Sequence, residues 1–278
     1  MRVIFGIVAV AAATAVGVGC GQAGEATDAA TTPSLSIPAD AGHVHGIVRS
    51  AAGRLLIATH RGMFSPADDG TLRKRGDDDD YMGLAALAAG PLLSSGHPGP
   101  SSTEPDPLGL RQSRDGGTSW TTIARVPRDD FHVIKSAAGM IYAVGSDGAM
   151  YAGRTPATMA RTAQAPAGLI DLAINPARGN DLVAATRSGL TRSADGGRSW
   201  TPLGTQAGLL SWPREDHLYI VDADGAISVS DDGGTTWSRR GALGSPPAAI
   251  LAESPRNLVA ATHDGGIVRS SDGARTWS

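Results

Sequence analysis

The sequence is poor in several residue types that would point to a particular class of protein. It has one cysteine in 278 residues, which excludes a disulfide framework and any zinc site built from cysteines. The 24 lysines and arginines do not outnumber the 27 aspartates and glutamates, so we expect no nucleic-acid partner. Aromatic residues are only 4% of the chain, whereas glycine is abundant, with 37 residues beside 17 prolines. This composition favours an all-β fold of short strands and many tight turns.

The one long apolar run lies at the N-terminus. Arg2 precedes a mainly apolar stretch over residues 3–18, and the only cysteine, Cys20, follows it. The arrangement resembles a bacterial lipoprotein signal, in which the cysteine after the cleavage site is acylated. The resemblance implies a signal peptide at 1–19, a lipid on Cys20 and attachment to the extracytoplasmic side of the cell membrane; an ordinary secreted protein is the alternative. Residues 20–40 are small and polar and are expected to form a tether.

Four eight-residue segments share one pattern and are called the box segments below. Their pattern is Ser-x-Asp-x-Gly-x-(Ser/Thr)-Trp, with an aspartate that accepts backbone N–H groups in a turn, glycine for positive φ and tryptophan for packing between sheets. A catalytic aspartate would not be needed once per repeat, so we predict a structural role for the four aspartates. The segments are 113–120, 193–200, 230–237 and 270–277, and their aspartates are Asp115, Asp195, Asp232 and Asp272.

Longer repeats surround the box segments. Two apolar runs recur six times between residues 43 and 278, at a spacing of about 40 residues that is typical of a four-stranded propeller blade. We therefore predict an all-β chain with a single six-bladed β-propeller over 41–278 and box-segment hairpins in its blades. Ser34–Pro38 is a candidate strand to close the ring. A proline-rich insertion at 97–110 lengthens the second repeat and is expected to be ordered.

Five of the seven histidines fall where the predicted strands meet one face of the propeller. The inner strand of a blade starts, and the second strand ends, at the same face, so both positions surround one channel mouth. We align the inner-strand starts as His45, Met82, His132, Asp171, Ser211 and Ile250. We align the second-strand ends as His60, His97, Ser146, Arg187, Ala223 and His263.

Three interpretations of this mouth remain open. The first is a site for a copper or zinc ion, with Met82 as a soft ligand that suits copper; its candidate ligands are His43, His45, His60, His97 and His132. The second is a metal-free polar pocket for an anionic or sugar ligand, with Arg187 as an anion clamp. The third is that the histidines only line a watery opening. The full set of candidate binding residues is His43, His45, His60, Asp80, Met82, His97, Asp130, His132, Asp171, Arg187 and His263.

The box segments match the Asp-box, or BNR, repeat of sialidase-like β-propellers. The segments 43–46 (HVHG), 58–64 (ATHRGMF) and 130–132 (DFH) further resemble bacterial lipoprotein-type BNR propellers that are often labelled glycosyl hydrolases. The blades are also similar to photosystem assembly-factor and sortilin-type propellers, which bind proteins and catalyse nothing.

Sialidase chemistry, which the resemblance implies, lacks support in the residues. Sialidases carry their first substrate-binding arginine in a Phe/Tyr-Arg-Ile-Pro segment, and this sequence has none. We therefore expect a non-catalytic, monomeric, membrane-tethered propeller that binds a ligand, such as a protein or carbohydrate partner, at its mouth. The alternatives are a metal-binding protein and a glycoside hydrolase with an unrecognised carboxylate pair.

Overall fold

The computed structural model describes residues 35–123 and 129–278. The predicted signal peptide, the proposed lipid site at Cys20 and most of the predicted tether lie outside these described residues. Two short 3-10 helices occur, at Ala39–Ala41 and Pro156–Thr158. Among the described residues, we find no helix with the length and apolar character needed to cross a membrane.

The described chain forms six antiparallel sheets of four strands each, which confirms the predicted all-β, six-bladed propeller. The first strand along the chain, β1 (Leu35–Ser36), belongs to the last sheet. Blade one contains β2 (Val44–Arg49), β3 (Leu55–Thr59), β4 (Gly62–Pro66) and β5 (Leu72–Arg75). Blade two contains β6 (Asp80–Ala86), β7 (Leu92–His97), β8 (Arg111–Ser113) and β9 (Thr121–Thr122). Blade three contains β10 (Phe131–Ala137), β11 (Met140–Gly145), β12 (Ala149–Gly153) and β13 (Ala160–Gln164).

The second half of the ring repeats this arrangement. Blade four contains β14 (Leu169–Ile174), β15 (Leu182–Thr186), β16 (Gly189–Ser193) and β17 (Thr201–Gly204). Blade five contains β18 (Leu209–Arg214), β19 (His217–Val221), β20 (Ala226–Ser230) and β21 (Ser238–Ala242). Blade six contains β22 (Pro247–Ala252), β23 (Leu258–Thr262), β24 (Gly266–Ser270) and β1. Each inner strand contacts the inner strands of the two adjacent blades, so the six inner strands form a closed ring.

The core lies between neighbouring blades. Every residue of β3, β15 and β23 is buried, and all three strands are short apolar runs that end in threonine. A second strand that is covered by sheets on both faces has no solvent side, which explains why these runs are continuously apolar rather than alternating. The core therefore fixes the ends of these second strands, which are followed by His60, Arg187 and His263.

The ring closes through the N-terminal strand. Leu35 pairs with Ile267 and Ser36 with Gly266, so β1 adds to the outer edge of β24. Ser278 exchanges backbone hydrogen bonds of 2.8 and 2.9 Å with Arg269 of the same strand. These pairs confirm the predicted closing role of the segment 34–38, of which Ser34 lies outside the described residues. The propeller thus includes β1, which lies within the range that the sequence assigned to the tether.

The box segments form one recurrent turn that follows the third strand of blades two, four, five and six, and in blades two, four and five it leads into the fourth strand. In the first, Asp115 Oδ1 accepts the N–H groups of Thr118 and Ser119 at 3.0 and 2.9 Å, and Oδ2 accepts the Ser119 hydroxyl at 2.6 Å. The other three aspartates make the same contacts. Hydrogen bonds from the side chain and backbone of Ser119 hold the pKa of Asp115 well below its ordinary value. Because the third strand runs back from the mouth, these turns lie at the opposite face.

Candidate functional site

A β-bulge at the start of the inner strand places one side chain at the mouth in each of five blades. In β2 the pairing with β3 skips His45, and in β6 and β10 it skips Met82 and His132. The equivalent bulge residues of β14 and β22 are Ile170 and Ala248. A bulge residue is left out of the ladder and its side chain is re-aimed, so these residues face the opening instead of packing between blades.

The observed strand pairing corrects the sequence alignment of the inner-strand starts in blades four, five and six. Asp171, Ser211 and Ile250 do not lie at the position of His45, because each pairs with the second strand further along its own inner strand. The alignment of the second-strand ends holds for His60, Arg187 and His263, which directly follow the last residues of β3, β15 and β23, whereas Ala223 lies one residue beyond this position because β19 ends at Val221. A bulge adds one residue without changing the apolar pattern, which is why the pattern alone misplaced the inner-strand starts.

Three histidines come together at the mouth of blade one. His43, His45 and His60 each present a ring nitrogen, and these three atoms lie within 4.8 Å of one another. The His43 ring is stacked on His60 at a centroid distance of 5.4 Å and meets the His45 ring edge-on at 4.4 Å. We call these residues the His trio. His43 and His60 are exposed, and His45 is half-buried.

Local backbone geometry brings His43 against His60. Gly42 has a φ of +73°, and a Cβ atom there would lie 2.9 Å from the His60 Cβ. Only glycine therefore allows this close approach without strain. The His60 N–H then donates a hydrogen bond of 3.1 Å to the His43 carbonyl.

Asp80, the first residue of β6, lies beside the His trio and is only 8% exposed. Its Oδ2 lies 2.8 Å from His60 Nδ1, and its Oδ1 lies 3.2 Å from His45 Nε2. Neither approach is aligned as a hydrogen bond, and His45 Nε2 and Asp80 Oδ1 are buried atoms without a hydrogen-bond partner among the described residues. A carboxylate that contacts imidazoles in this way is a common companion of histidine metal ligands.

The electrostatics around His43 favour its neutral imidazole. Burial, and then the positive charges that His45 and His60 would carry, lower the pKa of His43 below its ordinary value. Asp80 acts in the opposite direction, and a smaller repulsion comes from His263, which places that residue in the field of the same cluster. A neutral imidazole has a lone pair on one ring nitrogen, which is the form that binds a metal ion.

A second pair of histidines shares Asp130. His132 Nε2 hydrogen-bonds to Asp130 Oδ2, and His97 Nε2 lies 3.4 Å from the same oxygen. His97 Nδ1 contacts Asp106 Oδ1 at 2.6 Å. The hydrogen bond to Asp106 raises the pKa of His97, and the hydrogen bond to Asp130 raises that of His132. Burial acts to raise the pKa of Asp130, but the bonds from both histidines leave it below its ordinary value.

Asp106 is a mouth residue that the sequence analysis missed. It belongs to the insertion 97–110, which is ordered as predicted. Leu108 and Leu110 are buried, the Gly99 N–H donates to Asp79 at 2.7 Å, and the Asp106–Pro107 bond is cis. The insertion starts at a mouth histidine, and this is the one signal in the sequence that could have suggested that it folds back over the opening.

A small cavity of about 120 Å³ lies inside the mouth. It shares the lining residues Ile47, Leu84, Ile134, Lys135 and Ile250 with a second, larger cavity further along the channel. The chemically distinctive residues around the small cavity are His45, Met82, His132, Lys135, Ile170 and Asp171. It therefore joins the His trio, through His45, to the second histidine pair, through His132.

Asp171 and Lys135 form an ion pair in this cavity. The Lys135 Nζ lies 2.8 Å from Asp171 Oδ1. Asp171 also accepts the N–H groups of Leu172 at 2.9 Å and Leu210 at 2.8 Å, so its carboxylate ties blade four to blade five. Lys135 is the second mouth residue that the sequence analysis missed, although it lies only three residues after His132 on the same strand.

The remaining candidates are less closely grouped. Arg187 is exposed beyond β15, and its backbone N–H donates to the Gly168 carbonyl at 2.9 Å. Met82 lines the small cavity, whereas Arg187 is not one of its lining residues. His217 starts β19, a second strand, and so lies at the face opposite the mouth, where it contacts Asp216 at 3.2 Å.

Comparison with known proteins gives matches in structure alone. No protein-family model matches the chain, and no curated protein matches it. YCF48 bound to D1 peptide is similar with a TM-score of 0.56 and 18% identity, over 87% of this chain and 82% of that one. The gluconolactonase XC5397 from Xanthomonas campestris has a TM-score of 0.64 and 13% identity, over 83% and 86%. The GH74 xyloglucanase from Xanthomonas campestris has a TM-score of 0.55 and 16% identity, over 85% of this chain and 45% of the enzyme. At such identities the likeness establishes the propeller fold and does not assign an activity.

Proposed function

We propose that this protein is a non-catalytic binding propeller, tethered outside the cytoplasm by a lipid on Cys20, whose mouth holds a transition-metal ion. The observation that carries the proposal is the His trio of His43, His45 and His60 beside the buried Asp80. Imidazole is a preferred ligand of zinc and copper, and the set contains no thiolate or carboxylate array that would favour other ions. The metal class is therefore zinc or copper.

The distances in the His trio suit a metal ion after small side-chain rotations. Metal–nitrogen bonds of roughly 2.0–2.1 Å place the nitrogens of a tetrahedral site about 3.3 Å apart. The three nitrogens already lie within 4.8 Å of one another. The buried, unpartnered atoms His45 Nε2 and Asp80 Oδ1 show that the protein alone does not satisfy this cluster. A cation bound there would offset the cost of burying the Asp80 charge.

The three candidate carboxylates of the mouth, Asp80, Asp130 and Asp171, support a binding role over glycoside hydrolysis by this set. A glycosidase needs one carboxylic acid with a raised pKa that protonates the leaving group. The pKa of Asp130 is instead lowered by its histidines, Asp80 contacts His60, and Asp171 is held by Lys135 and two backbone N–H groups. The peptide-bound YCF48 structure is a further example of binding on a similar fold.

Metal titration of protein purified without a polyhistidine tag tests the proposal. We expect one zinc or copper ion per chain and a higher melting temperature on loading. The variant H43Q/H45Q/H60Q is expected to lose this binding, whereas H217Q at the opposite face keeps it. Absence of stoichiometric binding, or binding that persists in the triple variant, refutes the metal site. Turnover of aryl glycosides that is abolished by D80N refutes the non-catalytic role.

A further inference from the structure

Blade two carries a buried cation at a position that is uncharged in the other five blades. Arg111 on β8 pairs with Ser94 of β7 and is only 5% exposed. The residues at the same place in the ladder, counted outward from the inner strand, are Phe64, Tyr151, Thr191, Ser228 and Val268. Burying a guanidinium costs free energy unless its partners offset the loss of water, so the sequence departs here from what the core alone would favour.

The contacts of Arg111 leave part of its side chain unsatisfied. Its Nη1 donates a hydrogen bond of 2.6 Å to Asp79 Oδ2, and its guanidinium carbon lies 5.5 and 5.6 Å from the ring centroids of Tyr81 and Trp120. The Nε and Nη2 atoms are buried and have no hydrogen-bond partner among the described residues. The cost of taking two charges out of water offsets much of their attraction, so a buried ion pair of this kind adds little net stability. Stability therefore does not account for Arg111.

Asp79, the partner of Arg111, joins three parts of the structure. It is 2% exposed, its Oδ1 accepts the N–H group of Gly99 at 2.7 Å, and its carbonyl accepts that of Gly62 at 2.9 Å. Gly62 begins β4 of blade one, and Gly99 belongs to the insertion 97–110. The next residue along the chain is Asp80. Since the two residues share one planar peptide unit, holding Asp79 in place also holds the start of β6, from which the Asp80 side chain extends.

We propose that Arg111 is a positioning residue of the metal site, which acts through Asp79 to hold the Asp80 carboxylate against His45 and His60. This inference rests on the metal site proposed above. The planar guanidinium, stacked between two aromatic rings, fixes the orientation of Asp79, and a lysine in its place would supply the charge without the stacking. Groups outside the ligand set that orient a carboxylate–histidine contact change metal affinity without touching the metal.

The paired variant R111M/D79N tests the proposal. It removes both charges together, so neither is left buried alone, and the asparagine keeps an oxygen for the Gly99 N–H group. We expect the metal-free variant to fold with a melting temperature close to that of the wild-type protein. We expect its dissociation constant for zinc to rise at least about tenfold, the lower end of the range for such orienting residues. Zinc competition at a temperature where circular dichroism shows both proteins fully folded separates affinity from stability.

A double-mutant cycle with D80N identifies the route of the effect. If Arg111 acts through Asp80, the pair has no carboxylate left to orient in D80N. We therefore expect D80N and R111M/D79N/D80N to bind zinc with equal affinity, whereas a purely structural role would make the two losses add.

The Arg192–Asp181 pair of blade four provides the matched control. Arg192 Nη2 lies 2.8 Å from Oδ2 of Asp181, which is 5% exposed and directly precedes β15 at the opposite face. R192M/D181N neutralises this pair in the same way, away from the mouth. We expect it to bind zinc as the wild-type protein does.

The outcomes distinguish this role from the metal site itself. A wild-type protein that binds no zinc refutes the metal site and this inference with it. If the wild-type protein binds zinc, three results refute the role of Arg111 alone: wild-type affinity in R111M/D79N, a loss that adds in full to that of D80N, or an equal loss in R192M/D181N.

R111K is the second variant if R111M/D79N does not fold. Lysine keeps a charge beside Asp79 but lacks the planar group that stacks on Tyr81 and Trp120. A smaller rise in the dissociation constant for zinc, which disappears when R111K/D80N is compared with D80N, supports the proposal. Wild-type zinc affinity in R111K refutes it. Failure of R111K to fold also refutes it, because Arg111 would then be needed for the fold and not specifically for Asp80.

Discussion

His60 Nδ1 lies 2.8 Å from Oδ2 of Asp80 across the boundary between blades one and two. His60 follows β3, and Asp80 begins β6, so the contact joins the end of a second strand to the start of the next inner strand. These two positions meet at one face of any propeller with this strand order. The topology alone therefore brings an exposed imidazole onto a buried carboxylate, and the His trio is built around that pair.

The His60–Asp80 pair predicts a specific effect of D80N on metal binding. Asparagine keeps the shape of the side chain but removes the charge, so the imidazoles lose the carboxylate that orients them. We expect the dissociation constant for zinc to rise about 10- to 100-fold, as measured by competition with a chromogenic chelator. D216N alters the aspartate–histidine contact at the opposite face and is expected to leave zinc binding unchanged. Equal zinc affinity in D80N and the wild-type protein would show that Asp80 has no part in the site.

The carboxylate of Asp130 leads to a prediction about how its two neighbours, His97 and His132, titrate. Their folded-state pKa values lie above the ordinary 6.5, so their contribution to stability is fully present below pH 6.5 and is lost as the pH rises through the folded values. The side chains of His132 and His97 are 48% and 39% exposed, so solvent screens much of this contribution. NMR titration of the ring protons is therefore the sharper measurement. We expect D130N to lower both pKa values, and an unaltered pKa of His132 would contradict the assigned cause.

The fold could be predicted because its signals are periodic. Each box segment carries its own turn chemistry, in which Asp232, for example, needs only the N–H groups three and four residues ahead. Local interactions of this kind are written in consecutive residues, so one sequence is enough to reveal them.

The candidate site could be predicted only in part, because its geometry depends on strand register. The second-strand ends, such as His60 and His263, follow buried runs whose length is fixed by the core. The inner-strand starts depend on bulges, so Asp171 was placed one residue too far toward the mouth, where Ile170 lies. Asp106 reaches His97 through the fold of an insertion, and no periodic pattern records such a contact.

The box turns predict acid-sensitive stability. We expect D232A to lower the free energy of unfolding by about 1 kcal/mol, because it removes a carboxylate that caps backbone N–H groups. Asp231 is the adjacent, exposed aspartate and makes none of the contacts that recur in the box turns. We expect D231A to change the free energy of unfolding by less than about 0.5 kcal/mol. Urea unfolding measures the free energy of unfolding of both variants. Equal losses in D231A and D232A would show that Asp232 has no structural role of its own.

The depressed pKa of Asp232 sets the pH range over which its carboxylate stabilises the protein. Hydrogen bonds from the Thr236 backbone and then its hydroxyl lower the pKa of Asp232 from 3.8 to about 2. A carboxyl with a depressed folded-state pKa stabilises the protein above its unfolded value, and the stabilisation is lost as the pH falls. The stability difference between the wild-type protein and D232N is therefore expected to shrink between pH 4 and pH 2. A difference that stays constant across this window would show that the charge does not matter.

Of the substitutions proposed for stability, we expect L35A in the closing strand β1 to cause the largest loss. Leu35 is 8% exposed and packs in the core formed by blades one and six, where it pairs with the fully buried Ile267. Truncation to alanine removes buried methyl groups at the point where the ring is held shut, and we expect L35A to cost about 2–3 kcal/mol in guanidinium unfolding. Ser36 is the adjacent, exposed residue of the same strand, so S36A keeps the backbone pairing and is expected to cost less than about 0.5 kcal/mol. If L35A were as stable as S36A, the core would hold the ring closed without the Leu35 side chain.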